Sequence, residues 1–174
     1  MLRQFRKRSP FEETFTPHFN AAYNLARWIT NNDHDAEDIL QEAFLRAFQY
    51  YIGFRGGDAR AWLLRIVRNT AYTWLRRNRA SELHLSIDDI AEDQTCRTSG
   101  PESELLRQLG SELLRNAIAG LPAEFREVIV LRDLEDYSYK EIAEIVDIPL
   151  GTVMSRLARA RKRLILSLRV EDLQ

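Results

Sequence analysis

Apolar residues recur at steps of three and four along almost the whole chain, which is the spacing of one face of an α-helix. Segment 11–30 shows this pattern first, and it continues through 39–51, 62–75, 125–134 and 142–164. No stretch alternates convincingly between polar and apolar residues with a period of two, so the sequence predicts no β-sheet. We therefore expect an all-α protein.

Two kinds of interruption divide the helical pattern. Three glycines within Gly53–Gly57 predict a loop, and Pro17 predicts a break inside the first helical segment. A longer interruption covers 81–103, which is acidic, contains Ser-Gly-Pro near its end and is typical of a flexible linker. The sequence predicts two small helical domains, 1–80 and 104–174, joined by this acidic linker. The first domain would be a bundle of three to four helices.

The charges of the chain are sorted into blocks. The formal net charge is −1, which taken alone argues against a nucleic-acid-binding protein. Residues 54–80, however, carry seven arginines and one acid, and residues 148–169 carry six basic residues and no acid. Residues 33–50 carry five acids and one arginine. The near-neutral total therefore conceals two basic segments that could bind nucleic acid, although solvated helix faces are also charged.

Residues 139–164 have the pattern of a helix-turn-helix. A short helix over 139–146 meets a turn at 147–149, and Ala143 is small enough for a second helix to pack closely. The outward face of the second helix carries Thr152, Ser155, Arg156, Arg159, Lys162 and Arg163. Arginine can bind guanine edges with two hydrogen bonds, so this face is a candidate DNA reader. The alternative is a helical hairpin whose basic face is only solvated.

The basic segment 54–80 interleaves arginines with aromatic residues, among them Trp62, Tyr72 and Trp74. Unpaired bases stack on aromatic rings while arginines follow the phosphates, so the segment could bind single-stranded nucleic acid. The alternative is that the aromatic side chains belong to the core, which we favour for Trp62. The acidic segment before it places Asp38, Gln41 and Glu42 on one helical face.

Four motifs in this order resemble the bacterial RNA polymerase sigma factors of the extracytoplasmic-function (ECF) group within the sigma-70 family. They read Asp-Ala-Glu-Asp-x-x-Gln-Glu, Phe-Arg-Gly followed by Asn-Thr-Ala, Leu-Pro-x-x-Phe-Arg-Glu, and Gly-Thr-Val-x-Ser-Arg-Leu. The resemblance extends from about Phe11 to Leu164. It implies that the first domain is sigma region 2 and the second is sigma region 4.

The resemblance also implies functions for residues of the first domain. The acidic face of Asp38, Gln41 and Glu42 would bind the clamp helices of the largest subunit of core RNA polymerase. The loop and helix that follow would melt promoter DNA at the −10 element and hold the displaced strand. The residues implied near that strand are Phe54, Arg55, Gly56, Arg60, Trp62 and Asn69. Those implied at phosphates or the duplex upstream are Arg65, Arg68, Arg76 and Arg77.

In the second domain, the resemblance implies that the helix-turn-helix reads the −35 promoter element. Ser155, Arg156 and Arg159 would lie near bases, and Lys140, Thr152 and Arg163 near phosphates. The resemblance further implies contact with the flap of the second-largest polymerase subunit and control by an anti-sigma factor in a stress or envelope response. Met154 and Ala158 replace longer side chains of some family members, which leaves the −35 sequence open.

A self-sufficient transcription regulator and an enzyme are the two alternatives to this interpretation. A self-sufficient repressor or activator would explain the helix-turn-helix but neither the acidic helix nor the arginine-aromatic segment. An enzyme is disfavoured because His18, His34 and His84 are scattered and no nucleophile or phosphate-binding motif occurs. We expect no catalytic residue, metal site or cofactor. The single cysteine, Cys96, predicts no disulfide framework, and we expect a cytoplasmic protein without membrane contact of its own.

Overall fold

The structure is a computed structural model that describes residues 9–82 and 112–171. Within these ranges the chain forms eight α-helices and no strand, which confirms the predicted all-α fold. The helices are α1 (Pro10–Phe15), α2 (Phe19–Thr30), α3 (Asp33–Tyr50), α4 (Ala59–Glu82), α5 (112–119), α6 (Ala123–Ile129), α7 (Tyr139–Val146) and α8 (Leu150–Glu171). The first two residues of the predicted linker, 81 and 82, are the last two of α4. The rest of the linker, with Cys96, lies outside the described residues.

Side-chain caps and turn residues set the ends of the first four helices. Ser9 and Glu12 form a capping box at the start of α1, and a 3₁₀ turn around Pro17 separates α1 from α2, as predicted. Asn32 Oδ1 accepts a hydrogen bond from the Asp35 amide at 3.1 Å and so begins α3. Asp58 caps α4 in the same way, through the Ala61 amide at 3.0 Å.

The helix-turn-helix is present at the predicted positions. Ser138 and Glu141 form a capping box that begins α7. The helix ends at Asp147, whose φ of 57° is in the left-handed region that aspartate tolerates better than most residues. Val153 and Leu157 of α8 are buried against this short helix, as the apolar pattern predicts.

A turn of π-helix, Val130–Leu134, extends α6. The π-helix is rare and occurs mostly as a single turn within an α-helix, frequently at a functional site. After the turn the chain reverses, since the Tyr137 amide donates to the Leu131 carbonyl at 2.9 Å. After this reversal the Tyr137 side chain is buried between the two domains, with its ring against Arg60.

The described parts of the two domains pack against each other. We call residues 9–82 the N-terminal domain and 112–171 the C-terminal domain. Helix α2 contacts α6, and α4 contacts α7. The buried side chains of both domains form one continuous hydrophobic cluster. The sequence predicts two domains but does not predict this contact, because it depends on residues distant along the chain.

Candidate nucleic-acid interface

The acidic face of α3 is open. Asp38 and Gln41 are exposed, and the half-buried Glu42 forms an ion pair with Arg46 one turn later. Leu45 and Phe48 on the same helix are also exposed, at 66% and 61% of their surface. A monomer gains nothing from so much apolar surface in water, so this face has the mixed acidic and apolar character of a protein-binding surface.

The loop between α3 and α4 is supported by an aromatic cluster. The Phe54 and Trp62 ring centroids lie 5.1 Å apart, and the Phe15 ring, which is fully buried, lies 5.3 Å from Trp62. Trp62 is therefore largely a packing residue, as the sequence favoured. Arg55 and Gly56 are exposed next to this cluster, and Gly56 has a φ of 89° that a side chain would strain. The aromatic cluster holds the exposed loop at the start of α4.

The basic face of α4 has two parts. Arg60, Arg65 and Arg68 lie against the C-terminal domain. Farther along the helix Asn69, Arg76 and Arg77 are exposed. A polar pocket on this helix is lined by the side chains of Arg68, Asn69, Tyr72, Thr73 and Arg76. Of the residues predicted at the displaced strand or at phosphates, this pocket brings together Asn69, Arg68 and Arg76. Three arginines of the helix, Arg60, Arg65 and Arg68, have carboxylate partners in the C-terminal domain.

Glu127 of α6 is the central partner in this contact. Its side chain is fully buried and accepts two hydrogen bonds from Arg68, Nε to Oε2 at 2.8 Å and Nη2 to Oε1 at 3.3 Å. Arg156 of α8 donates to the same carboxylate through Nη1 at 3.2 Å. A buried carboxylate between two guanidinium groups links α4, α6 and α8.

Two further contacts join α4 to the C-terminal domain. Arg60 forms an ion pair with Glu135, and its guanidinium lies 4.8 Å from the ring centroid of Tyr137. Arg65 Nη2 lies 3.5 Å from Asp147 Oδ1, at the turn of the helix-turn-helix. Both side chains of this last pair are half or more exposed, so it is the weakest of the three.

Burial alters the ionisation of groups at the domain contact. It raises the pKa of the Glu127 carboxyl despite the favourable hydrogen bonds and charge of Arg68. It also raises the pKa of the Tyr72 hydroxyl, which the neighbouring Glu127 charge raises further. The Tyr137 pKa is raised by burial as well. All three shifts have the same origin, since the domain contact removes polar groups from water.

Arg126 forms a separate link between the domains. Its Nη2 donates to the Ile29 carbonyl in the last turn of α2 at 3.2 Å, and its Nη1 donates to the Ala119 carbonyl at the end of α5 at 2.6 Å. One guanidinium therefore caps the carboxyl ends of two helices. Burial lowers the pKa of Arg126. Arg126 and Glu127 fall within the Leu-Pro-x-x-Phe-Arg-Glu motif, but the sequence analysis assigned neither of them a role in joining the domains.

The outward face of α8 is mostly free. Ser155 and Arg159 are exposed, and Thr152 accepts a hydrogen bond from Ser155 Oγ at its carbonyl. In the described part of the chain neither Arg159 nor Lys162 has a carboxylate partner. Three further residues of this domain are predicted to contact DNA. Lys140 is exposed, and the Arg163 guanidinium lies 5.0 Å from the Phe125 ring centroid. Arg156 is turned toward Glu127 instead of the outward face.

No group of three or more His, Cys, Asp or Glu side chains within the described ranges is arranged to hold a metal ion. None of the helices in these ranges has the length and apolar character needed to cross a membrane.

Models of two sigma-factor regions match the chain. The family described as Sigma-70 region 2 matches residues 14–81, and the family described as Sigma-70, region 4 matches residues 111–164. These matches cover the N-terminal and C-terminal domains respectively. The helix-turn-helix and the outward face of α8 fall inside the second match.

Curated relatives and solved structures agree with these matches. The ECF RNA polymerase sigma factor SigE of Mycolicibacterium smegmatis is 35% identical over 88% of this chain, which spans 60% of that relative's length. The ECF RNA polymerase sigma-E factor of Haemophilus influenzae is 37% identical over 79% of this chain and 76% of its own length. The chain is also similar to the sigma factor RpoE solved with the anti-sigma factor NepR from Bartonella quintana, with a TM-score of 0.72 and 27% identity over 92% of this chain and 97% of that one. The protein belongs to the ECF group of sigma-70 family RNA polymerase sigma factors.

Proposed function

We propose that this chain binds core RNA polymerase and directs it to promoters by recognising a −35 and a −10 element and helping to melt the DNA. The observation that carries the proposal is the placement of three surfaces on two domains that match sigma regions 2 and 4. One surface is the open acidic and apolar face of α3, and the others are the basic faces of α4 and α8. As a sigma factor the chain is an initiation factor and not an enzyme.

The α3 face is the proposed docking surface for polymerase. Asp38 and Gln41 are free to meet a basic partner, and Glu42 can exchange its partner Arg46 for an external one. We assign this face to the clamp helices of the largest subunit, and a face of the C-terminal domain to the flap of the second-largest. The exposed apolar residues beside the acids would supply the area that a stable contact needs.

The two basic helices are the proposed DNA-reading elements. Asn69 lies on the wall of a polar pocket, where an unstacked base of the displaced strand could insert beside Arg76. Arg65 and Arg68 would meet phosphates, and Arg60 would lie near the displaced strand, once they leave their internal partners. On α8, Ser155 and Arg159 would contact base edges in the major groove, with Thr152 and Lys140 near phosphates.

We further propose control by an anti-sigma factor and a cytoplasmic site of action. The support is that one solved structure similar to this chain is the sigma factor RpoE in complex with the anti-sigma factor NepR, and another is CnrH in complex with the cytosolic domain of CnrY. The second of these has a TM-score of 0.59 and 26% identity over 92% of this chain. The cytoplasmic site of action follows from the proposed partners, because core polymerase and promoter DNA are in the cytoplasm.

In vitro transcription with core polymerase on a pooled promoter library tests the proposal. We expect transcripts that depend on both core polymerase and this chain, and start sites preceded by paired −35 and −10 sequences. A self-sufficient repressor or activator would instead bind its operator tightly without polymerase. Start sites that are the same with and without this chain would contradict the proposal.

A further inference from the structure

An apolar groove runs between α2 and α3, next to the proposed docking face for polymerase. It has a volume of about 430 Å³ and is lined by Phe19, Tyr23, Glu37, Leu40, Gln41 and Phe44. Phe19 leaves 48% of its surface in water, although its ring centroid lies 5.7 Å from that of Phe44. A concave surface of aromatic and aliphatic side chains with a few polar groups is typical of a binding site. We call it the α2–α3 groove.

The rim of the α2–α3 groove is acidic. Glu37 lines the groove and Asp38 follows it along the helix, and both side chains are exposed. Neither forms an ion pair with another residue of the described ranges. Segment 33–50 as a whole carries five acids against one arginine, a net charge of −4. The groove therefore suits an occupant that combines apolar side chains with positive charge.

The first eight residues of the sequence have this combination. They read Met-Leu-Arg-Gln-Phe-Arg-Lys-Arg, with three apolar side chains, four cations and no acid. We call them segment 1–8, and they lie outside the described residues. Their charge of +4 is equal and opposite to that of segment 33–50. Segment 1–8 is thus complementary to the α2–α3 groove in both apolar character and charge.

Segment 1–8 is also joined to the chain close to the groove. Phe11, in the first turn of α1, packs edge-on against Phe44 and Phe48 of α3, with ring centroids 6.4 and 5.3 Å away. Phe44 is itself a wall of the groove. From there to Glu37 the groove follows α3 for about 10 Å. An extended segment of eight residues spans about 26 Å, which is enough to reach the whole groove.

We infer that segment 1–8 occupies the α2–α3 groove and competes with core polymerase for the neighbouring acidic face. The inference rests on the proposed role of α3 in polymerase docking. A segment tethered this close to its site has an effective concentration in the millimolar range, so even a weak contact is populated. The affinity for polymerase is then reduced in proportion to the fraction of molecules whose face is uncovered.

Neutralisation of the segment in the full-length chain, R3Q/R6Q/K7Q/R8Q, tests the inference. The variant keeps the length of the segment and leaves the capping box that begins α1 unchanged. The matched control R3K/R6K/R8K retains all four positive charges. Charge complementarity should not distinguish lysine from arginine on an exposed rim, so the control should behave as the unmodified chain.

The first readout locates the segment. A nitroxide at Gln4, in a Cys96→Ser background, broadens the amide NMR signals of residues close to it. We expect broadened signals for residues 37–44 in the unmodified segment and in the control, and recovery of these signals in R3Q/R6Q/K7Q/R8Q. The point of attachment to α1 is the same in all three chains, so the comparison isolates the contribution of the cations.

The second readout is the affinity for core polymerase without DNA, measured by fluorescence anisotropy. We expect R3Q/R6Q/K7Q/R8Q to bind about fivefold more tightly than the unmodified chain, and the control to differ from it by less than about twofold. The gain should diminish with added salt, since the Debye length falls from about 10 Å at 0.1 M to about 3 Å at 1 M.

Other results of the NMR comparison overturn the inference. Equal broadening in all three chains would show that the cations do not hold the segment at the groove. Broadening of isotope-labelled chains by spin-labelled chains mixed with them would identify a second copy as the occupant. Absence of broadening in every chain would leave the groove to another protein.

The affinity measurement can overturn it as well. Signals that recover without tighter polymerase binding would show that the segment does not cover the docking face. Weaker binding by R3Q/R6Q/K7Q/R8Q would show that the cations contact polymerase instead. The proposed function fails separately, if the unmodified chain supports no promoter-specific transcription with core polymerase, because the NMR comparison does not depend on polymerase.

Discussion

Helices α4 and α8 are both basic, and they differ in how their outward arginines are occupied. Arg60, Arg65 and Arg68 of α4 have carboxylate partners in the other domain. On α8, Arg159 and Lys162 point into solvent without a carboxylate partner among the described residues. The difference shows that basic composition does not by itself make a DNA-binding surface available. What the neighbouring domain places against the arginines decides whether phosphates can reach them.

The acids of the chain show the same contrast. Those of the C-terminal domain at Glu127 and Glu135 have internal partners, whereas Asp38 on α3 is exposed and has none among the described residues. An acid with an internal arginine contributes to domain packing, and an acid without one is available to another molecule.

Charge reversal on α3 should have the largest effect. The double variant D38R/E42R places two cations where the proposed basic partner would bind, and like charges across an interface cost several kcal/mol. We expect binding to core polymerase to weaken about a thousandfold, measured by fluorescence anisotropy or pull-down. The circular dichroism spectrum should not change, because both positions are on the surface. The control E13R/E112R, with exposed acids outside α3, should bind normally; equal loss in both variants would remove α3 from the docking surface.

Removal of the buried carboxylate should have the next largest effect. Glu127→Ala removes the buried counter-charge that Arg68 and Arg156 share, at side-chain exposures of only 16% and 21%, and leaves Arg156 only the half-exposed Glu124. We expect the free energy of unfolding to fall by about 3 kcal/mol in urea titrations. Glu124→Ala is the matched control, because Glu124 is half exposed and lies 3.6 Å from Arg156, and it should cost about 0.5 kcal/mol or less. Similar losses in the two variants would mean that Glu127 does not link α4 to α8.

A substitution on the open face of α8 should change the specificity for the −35 element rather than the stability of the protein. Arg159→Ala removes one proposed base contact, which is worth about 2 kcal/mol of discrimination at a single base pair. We expect relaxed preference at one −35 position and unchanged melting at −10, read from library transcription and permanganate reactivity. Stability should remain within about 0.5 kcal/mol, since the side chain is exposed. An unchanged −35 preference would contradict the assignment of this face.

The capping box of α7 should give the smallest effect. Ser138→Ala removes the side-chain acceptor for the Glu141 amide and should cost about 1 kcal/mol of unfolding free energy. The hydrogen bonds from Ser138 hold the pKa of Glu141 below its usual value. A carboxyl with a lowered pKa stabilises the folded state above its ordinary pKa and loses that contribution as pH falls through the lowered value. The stability difference between Ser138→Ala and the unmodified chain should therefore shrink in acid; a constant difference from neutral to acidic pH would contradict this coupling.

Much of the fold follows from local sequence. Helix ends at Asn32, Asp58 and Asp147 depend on capping and left-handed turns, which need only neighbouring residues. The helix-turn-helix is predictable because its two apolar stripes and its turn lie within 26 consecutive residues. The break at Pro17 and the packing of Trp62 were likewise expected from spacing and residue type.

The domain contact does not follow from local sequence. Arg68 and Glu127 are 59 positions apart, and Arg126 and Ile29 are 97 apart, so no periodic pattern pairs them. A charged residue beside an apolar stripe is compatible both with a solvated edge and with a buried ion pair. Only the packing of α4 on α7 and of α2 on α6 distinguishes these cases. The sequence therefore identifies the basic helices but not which arginines are occupied.

Paired arginines on α4 and open positions on α8 are the central contrast. The most direct test is the distance between spin labels at Asn24 and Ile165, in a Cys96→Ser background, measured by pulsed electron resonance with and without core polymerase. The free chain should show one distance population, because α2 contacts α6 and α6 contacts the α8 helix that carries Ile165. On addition of polymerase and promoter DNA the distance should lengthen by several tens of Å, as two elements about 85 Å apart become bound at once. The same distance in the free chain and in the transcribing complex would contradict the account, since the arginines of α4 would then act at the promoter while still bound to their own chain.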